Sequence, residues 1–386
     1  MQKVPRLLLA IAALGLCACQ STPVTLTASP HQLLNDDAFT GYHLFDIETE
    51  EEVFELTPEA KSFVNRVTWQ HDHPTKKIKA LVSSIFDRSD LNLLYSNDAN
   101  TTASDTFRTG AANCLSMSIM TYALAEYAGF DARFQDIQIP EYWTRRDGFS
   151  LLNGHVNVLV RPKHDQQVIQ LLSSDVVIDF DPQDSRRHFP IVEVTKQQAL
   201  AMFYNNKGAD ALIDDAYTRA YAYFRAAILM DPNFDGAWVN LGILYRRTGH
   251  MELAKRSYER AIEADDDNLT AWENLAFLHS QNGETELAES IFSRVERQRQ
   301  DNPFYHFILG EQAFDEGKLD EALQFFVRAH RLDTEKHEIL FGLSKTYYEL
   351  GDISRAEKYL AMAKRRAPNP QDEARYEGKL SKLQHM

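Results

Sequence analysis

A 34-residue repeat runs through the second half of the chain and constrains its fold more than any other feature. Alanine recurs without a slip in spacing at Ala220, Ala254, Ala288, Ala322 and Ala356. Glycine keeps the same register at Gly249, Gly283, Gly317 and Gly351. Alanine and glycine would not both keep a 34-residue spacing over successive units by chance. The pattern therefore predicts a stack of small units, each of which contacts mainly its neighbours.

Further positions in register identify the kind of repeat. They are the aromatic residues Tyr204, Trp238 and Trp272 and the pairs Leu241-Gly242, Leu275-Ala276 and Leu309-Gly310. The pattern resembles the tetratricopeptide repeat (TPR), which implies two antiparallel helices per unit, a small residue where they cross and a glycine in the turn between them. It predicts an all-α array of about five repeats over residues 200–370, with Asp215 at the first turn. Residues 371–386 are expected to form a polar capping helix.

An asparagine ladder accompanies the repeat, at Asn206, Asn240 and Asn274. In peptide-binding TPR proteins such a ladder faces the groove and hydrogen-bonds an extended backbone. The alternative is that asparagine before Leu-Gly is simply common in this repeat. The first interpretation predicts a protein or peptide partner in the groove.

The first 19 residues are typical of an export signal. Lys3 and Arg6 precede an apolar run from Leu7 to Leu16 that is too short to span a bilayer. Leu16-Cys17-Ala18-Cys19 resembles the bacterial lipobox, which implies a signal peptide over residues 1–18 and lipidation at Cys19. Gln20 at the next position favours the outer membrane, with the protein facing the periplasm. The polar residues 19–44 are expected to be a tether.

Composition narrows the function classes. The chain of 386 residues is 44% hydrophobic and 25% charged, which excludes a disordered or polytopic membrane protein. Its net charge is −15, and loss of Lys3 and Arg6 with the leader would make it −17. No clustered basic face offsets this charge, so no nucleic-acid partner is expected.

Residues 45–195 show mixed α and β patterns. Thr57-Pro58-Glu59 marks a helix start, and a second helix is predicted over Lys76–Arg88. A helix over Cys114–Tyr127 follows a predicted loop at residues 97–110. Strands are predicted at Ala132–Ile139, Val156–Val160 and Val176–Phe180.

This region holds the residues suited to thiol chemistry. Cys114 would begin a helix, where the helix dipole favours a thiolate. Strand alternation puts His155 and Asn157 on one face of their strand, and Asp179 and Asp181 on one face of the next. If the two strands pair, an imidazole can lie between the thiol and a carboxylate, as nucleophilic catalysis requires.

Four short segments in this region resemble the bacterial transglutaminase-like superfamily. They are Asn113-Cys114-Leu115-Ser116, residues 128–133, Gly154-His155-Val156-Asn157 and Val177-Ile178-Asp179-Phe180. The resemblance implies a papain-like α+β domain over residues 45–195. It makes Cys114 the nucleophile, His155 the base and Asp179 the orienting acid, with Asp181 as the alternate acid. Animal-type members have Trp where this chain has Leu115, so cross-linking activity is not implied.

Other candidate sites are weaker. His71-Asp72-His73 lies in a polar segment before Pro74 and is more typical of a solvated loop than of a metal site. Trp143, Arg145 and Arg146 are expected to lie in a loop that either lines a substrate cleft or is ordinary surface. The sequence thus gives no reason to expect a metal or a cofactor.

Two functions are compatible with these patterns. The first is a lipid-anchored cysteine peptidase, amidase or acyltransferase whose TPR array recruits a protein. The second is a catalytically inactive transglutaminase-like fold that supports a TPR adaptor. The presence of Cys114, His155 and Asp179 together favours the enzyme.

Overall fold

The structure is a computed structural model that describes residues 32–87, 89–91, 93–146, 149–163, 175–180, 189–367 and 370–384. The predicted leader, Cys19, the tether over residues 19–31 and Asp181 lie outside these ranges. Within them, no helix combines the length and hydropathy needed to cross a bilayer.

The N-terminal region contains both helices and strands. Its helices are α1 (Glu50–Phe54), α2 (Pro58–Trp69), α3 (Pro74–Phe86), α4 (Ala103–Thr109) and α5 (Cys114–Tyr127). Its strands are β1 (Leu94–Tyr95), β2 (Ala111–Ala112), β3 (Phe130–Ile137), β4 (Tyr142–Arg146), β5 (Phe149–Asn153), β6 (Val156–Pro162), β7 (Val176–Ile178) and β8 (Ile191–Val194).

The main sheet is antiparallel, with the strand order β7-β6-β3-β8. Strands β4 and β5 form a separate hairpin, and β1 pairs with β2 in parallel. Helix α5 packs on the sheet, since Ser118 donates its hydroxyl to the carbonyl of Val156 at 3.0 Å. An α+β region is therefore present, as the sequence predicted.

Local signals predicted α2, α3, α5, β3, β6 and β7, whereas α1, β1, β2, β4, β5 and β8 were not predicted. Thr57 caps α2 by accepting the backbone N–H of Ala60, and Pro58 occupies the first turn. Helix α5 begins and ends at the predicted residues, and Gly129 follows it with φ +84°. The prediction of a loop over residues 97–110 was wrong in part, because Thr102 accepts the N–H of Asp105 and starts α4.

The array consists of five antiparallel helix pairs and a final helix. They are α6 (Lys196–Ile213), α7 (Tyr217–Met230), α8 (Asp235–Arg247), α9 (Met251–Ala264), α10 (Leu269–Gln281), α11 (Thr285–Arg299), α12 (Pro303–Asp315), α13 (Leu319–Leu332), α14 (His337–Glu349), α15 (Ile353–Arg366) and α16 (Pro370–Gln384). Asp215, at the turn of the first pair, has φ +56°, in the left-handed region that glycine adopts at the other four turns.

Close crossings explain why small residues recur. The ring of Phe326 on α13 lies between Gly310 of α12 and Gly342 of α14. A Cβ atom at those glycines would lie 2.7 Å and 2.6 Å from the ring. The helices can approach this closely only because both positions lack a side chain.

One apolar core joins the N-terminal region to the first repeats. It runs without a break from Leu124 of α5 and Phe134 of β3 to Phe203 of α6 and Trp238 of α8. The sheet and the array therefore pack against each other rather than sit on a flexible linker.

Residues 32–44 are docked on the array, which corrects the tether prediction over this stretch. Leu33 and Phe39 are buried, and the Phe39 ring stacks on Tyr221 of α7 with centroids 4.5 Å apart. The Tyr245 hydroxyl donates to the carbonyl of Leu33 and accepts the N–H of Asn35. The docking of this segment was not predicted, because its composition is mostly polar and only Leu33 and Phe39 anchor it in the apolar core.

Asp36 fixes this docked segment. Its carboxylate accepts hydrogen bonds from Tyr221 at 2.7 Å, Arg225 at 2.9 Å and Tyr42 at 3.0 Å. Burial raises the pKa of Asp36, but these hydrogen bonds outweigh burial and hold the pKa below its ordinary value of 3.8. The carboxylate therefore stabilises the fold, fully above that ordinary value and progressively less as the pH falls through the lowered one.

We expect Asp36→Asn to reduce the free energy of unfolding by about 1 kcal/mol at neutral pH, a value that allows for partial solvent screening. The difference from the wild type should shrink below about pH 4, where the native carboxyl also becomes neutral. Urea unfolding at several pH values measures both effects. Asp37→Asn is the matched control, because Asp37 is exposed and follows Asp36 in the short 3₁₀ helix Asp36–Phe39. A deficit that persists unchanged in acid would contradict the assignment.

Candidate functional site

Cys114 is the first residue of α5. Asn113 caps this helix, because its side-chain oxygen accepts the N–H of Ser116 at 2.9 Å. Cys114 is half-buried, and it forms no disulfide within the described residues. The positive end of the helix dipole favours an anionic sulfur at this position.

His155 and Asp179 form a hydrogen-bonded pair. His155 lies directly before β6 and is 4% exposed, and its Nε2 is 3.0 Å from Oδ2 of Asp179. Asp179 directly follows β7, which pairs antiparallel with β6. The strand pairing that the sequence required for a histidine–carboxylate contact is therefore present.

Helix α5 and strand β6 put Cys114 at the same end of the region as His155. Ser118, one helical turn after Cys114, bonds to the carbonyl of Val156, the residue after His155. At the other end, β3 follows α5 through Gly129, and its first residue Phe130 is registered with Pro162 at the end of β6. The helix and β6 thus run side by side, with Cys114 and His155 at their starting ends.

Buried polar groups surround this end of β6. Asn157 pairs across the sheet with Gln135, and among the described residues neither Oδ1 of Asn157 nor Oε1 of Gln135 has a hydrogen-bond partner. Burial raises the pKa of Asp136, while a hydrogen bond from Gln138 and the charge of His155 act in the opposite direction. Asp136 was not predicted from the sequence, although strand alternation puts it on the same face of β3 as Phe134.

A polar chain connects the cap of α5 to the array. Asn113 donates to Asn100, Asn100 donates to Asp210 of α6, and Asp210 also pairs with Arg146 of β4. No sequence signal could identify Asn100 and Asp210, because they are 110 positions apart. Through these hydrogen bonds, α6 of the first repeat helps to hold α5, the helix that begins with Cys114.

Trp143, Arg145 and Arg146 lie in strand β4, so the prediction of a loop was wrong. Trp143 is 6% exposed and packs on Phe304 and Ile308 of α12. The hairpin therefore contacts the array instead of forming open surface.

The asparagine ladder lies on α6, α8 and α10, the first helices of three repeats. All three side chains are half-buried. Asn240 donates to the side-chain oxygen of Asn205 at 2.8 Å, and Asn274 donates to the carbonyl of Thr270 at 2.9 Å. These two amides thus have hydrogen-bond partners within the molecule.

His71 and His73 both precede α3, and His73 occupies the N-cap position of this helix. In the part of the chain that the structure describes, no three His, Cys, Asp or Glu side chains are grouped to hold a metal ion.

Comparisons with known proteins bear on the array. Residues 235–268 and 313–383 match family models described as tetratricopeptide repeat. The chloroplastic tetratricopeptide repeat domain-containing protein PYG7 of Arabidopsis thaliana is 31% identical over 71 residues, which are 18% of this chain and 24% of that protein. The chain thus spans about a quarter of the length of this curated relative.

Two solved structures are also similar. One is YrrB, described as a TPR protein with an unusual peptide-binding site, at 21% identity over 46% of this chain and 92% of YrrB, with a TM-score of 0.26. The other is PilF of Pseudomonas aeruginosa, at 16% identity over 50% of this chain and 87% of that chain, with a TM-score of 0.29. Both scores are below 0.5, so the repeat assignment rests on the family models and the helix geometry. The second half of the chain is an array of tetratricopeptide repeats, an architecture with a general protein-binding role.

Proposed function

We propose that this protein is a lipid-anchored envelope protein with a transglutaminase-like, papain-like domain that performs thiol-dependent acyl transfer on an amide. The array recruits the protein substrate or partner. The observation that carries the proposal is the 3.0 Å contact between His155 and Asp179, next to the helix that begins with Cys114.

The reaction follows from these groups. The Cys114 thiolate attacks the amide carbonyl, and the backbone N–H of Cys114 is the candidate donor to the oxyanion. Collapse of the tetrahedral intermediate breaks the C–N bond, and His155 gives its proton to the departing amine, which leaves a thioester on sulfur. Asp179 holds Nε2, so Nδ1 is the ring nitrogen assigned to the thiol, and the carboxylate stabilises the imidazolium.

Water or an amine then attacks the thioester and restores the thiol. Hydrolysis is the proposed outcome, because water is always present and no feature of the described residues marks an amine site. The chemistry needs no metal or cofactor. Asp179 is the proposed acid, and Asp181 remains the alternate.

We expect the full chain to release p-nitrophenol from p-nitrophenyl acetate with transient acetylation of Cys114. Cys114→Ala should abolish acetylation at this site, because the attacking sulfur is lost. His155→Ala and Asp179→Asn should each slow p-nitrophenol release by about a hundredfold. Stopped-flow absorbance gives the rate, and mass spectrometry of the Cys114 peptide locates the acetyl group.

His43→Ala is the matched control for this experiment, because His43 is exposed in a short helix beside α7. It should leave the rate unchanged. Acetylation that is equally fast without His155 would refute the catalytic proposal and favour the inactive TPR adaptor.

The proposed lipid anchor rests on Leu16-Cys17-Ala18-Cys19. The resemblance to the lipobox implies that Cys19 is the first residue of the mature chain, and Gln20 at the next position favours the outer membrane, with the protein facing the periplasm.

We expect Cys19→Ala to move the protein from the membrane fraction to the soluble fraction, or to retain it as the unprocessed precursor, because the acylated residue is lost. Fractionation and the intact mass measure this. Cys17→Ala is the matched control and should still be acylated. Equal membrane binding and an equal mass in the Cys19→Ala chain would contradict the lipid anchor.

A further inference from the structure

The face that α10, the end of α11, α12 and α14 present to the β4–β5 hairpin is a built recognition surface. We call it the Arg299 surface. Its members are Thr270, Arg299, Asn302, Phe304, Ile308 and Glu338. The hairpin segment that covers it is Glu141-Tyr142-Trp143.

Charge complementarity is concentrated on Glu141. Both of its carboxylate oxygens accept from Arg299, at 2.6 Å from Nε and 2.7 Å from Nη2. The Arg299 side chain is 3% exposed, and Glu273 satisfies its remaining nitrogen at 2.8 Å. The Asn302 amide donates to the main-chain carbonyl of Glu141 at 2.7 Å. The surface thus recognises both the side chain and the backbone of one residue, in bidentate geometry.

The two following side chains fill apolar space. The Trp143 ring packs on Phe304 and Ile308, with the Arg299 guanidinium 5.0 Å from its centroid. The Tyr142 ring meets Phe304 edge-on at 4.4 Å, and its hydroxyl reaches Glu338 at 3.4 Å. A buried arginine and an apolar pocket for an aromatic anchor are features of strong binding sites.

The occupying segment is attached only weakly to its own domain. Strand β4 pairs with β5 alone, and a two-stranded hairpin is marginally stable without further packing. The hairpin connects to β6 through Gly154, where an added Cβ would meet nothing within 4 Å. Once the Arg299 surface and the Arg146–Asp210 pair release it, the hairpin can therefore leave the array while the four-stranded sheet stays intact.

We propose that the Arg299 surface is a peptide-binding site for an extended protein segment with a glutamate followed by two aromatic residues. Glu141-Tyr142-Trp143 occupies the site within the molecule, and a partner segment of the same chemistry competes with it. The proposal goes beyond acyl transfer and does not depend on the reactivity of Cys114.

Binding of a labelled synthetic peptide with the sequence of residues 137–146 tests the proposal. In the full chain carrying Glu141→Gln and Trp143→Ala, which we call the vacated chain, the hairpin no longer occupies the Arg299 surface. This chain should bind the peptide at least about tenfold more tightly than the wild type does. In the wild type the tethered hairpin competes with the peptide at high effective concentration. A peptide with the same Gln and Ala changes should not bind.

Arg299→Gln in the vacated chain should weaken binding by at least about tenfold, because the bidentate contact is lost. Arg297→Gln, an exposed change in the same turn of α11, is the matched control and should bind as the vacated chain does. The proposal would be overturned if the vacated chain bound the peptide no more tightly than the wild type. It would also be overturned if the affinity did not change on Arg299→Gln or on substitution of the peptide's Glu and Trp.

Hydrogen exchange of the wild-type chain provides a second measurement if the vacated chain does not fold. A high concentration of the peptide should speed exchange in residues 142–153 and leave residues 114–127 unchanged. Unchanged exchange in the hairpin would overturn the proposal. Because the readouts are binding and exchange, failure here is distinguishable from failure of the acyl-transfer proposal.

Discussion

The apolar core shared by α5, the main sheet and the first repeats is the constraint on which the arrangement of the site depends. Phe134 of β3, Phe203 of α6 and Trp238 of α8 belong to one buried cluster. Because this cluster is continuous, the helix that begins with Cys114 has a fixed position relative to the array. The chain from Asn113 through Asn100 to Asp210 adds directional polar contacts across the same junction.

A second junction lies further along the array and combines a buried ion pair with an apolar pocket around Trp143. Burial of the Arg299 guanidinium costs several kcal/mol unless it is paired. Burial lowers the pKa of Arg299, but Glu141 and Glu273 outweigh burial and hold the pKa above its ordinary value. The apolar junction is therefore fixed, whereas the Arg299 junction depends on two carboxylates, one of which belongs to a short hairpin. Because of this difference, the hairpin is the contact on the array that a partner segment can replace.

Much of the fold was predictable because its signals are local. The 34-residue register gave the helix pairs, and the left-handed Asp215 was predictable from its alignment with turn glycines. Asn113 and Gly129 set the ends of α5. The strand patterns of β6 and β7 predicted a pairing that is present, and His155 directly before β6 and Asp179 directly after β7 meet because of it.

The remaining contacts depend on residues far apart in the chain. Glu141 and Arg299 are 158 positions apart, and Asn35 and Tyr245 are 210 apart. No period or cap encodes such a contact, so the sequence suggested a loop around Trp143 and a tether before residue 45. Helix α4 was missed for a different reason: its cap, Thr102, lies in a polar segment that is also typical of loops.

The central claim is that Cys114 is activated by His155, and the pH dependence of alkylation tests it most directly. Iodoacetamide modification of the Cys114 peptide, followed by mass spectrometry across a pH series, gives the pH of half-maximal rate. The account predicts that this pH lies below the roughly 8.5 of a free thiol and rises towards it in His155→Ala. A half-maximal pH that matches a free thiol and does not respond to His155 would contradict the account.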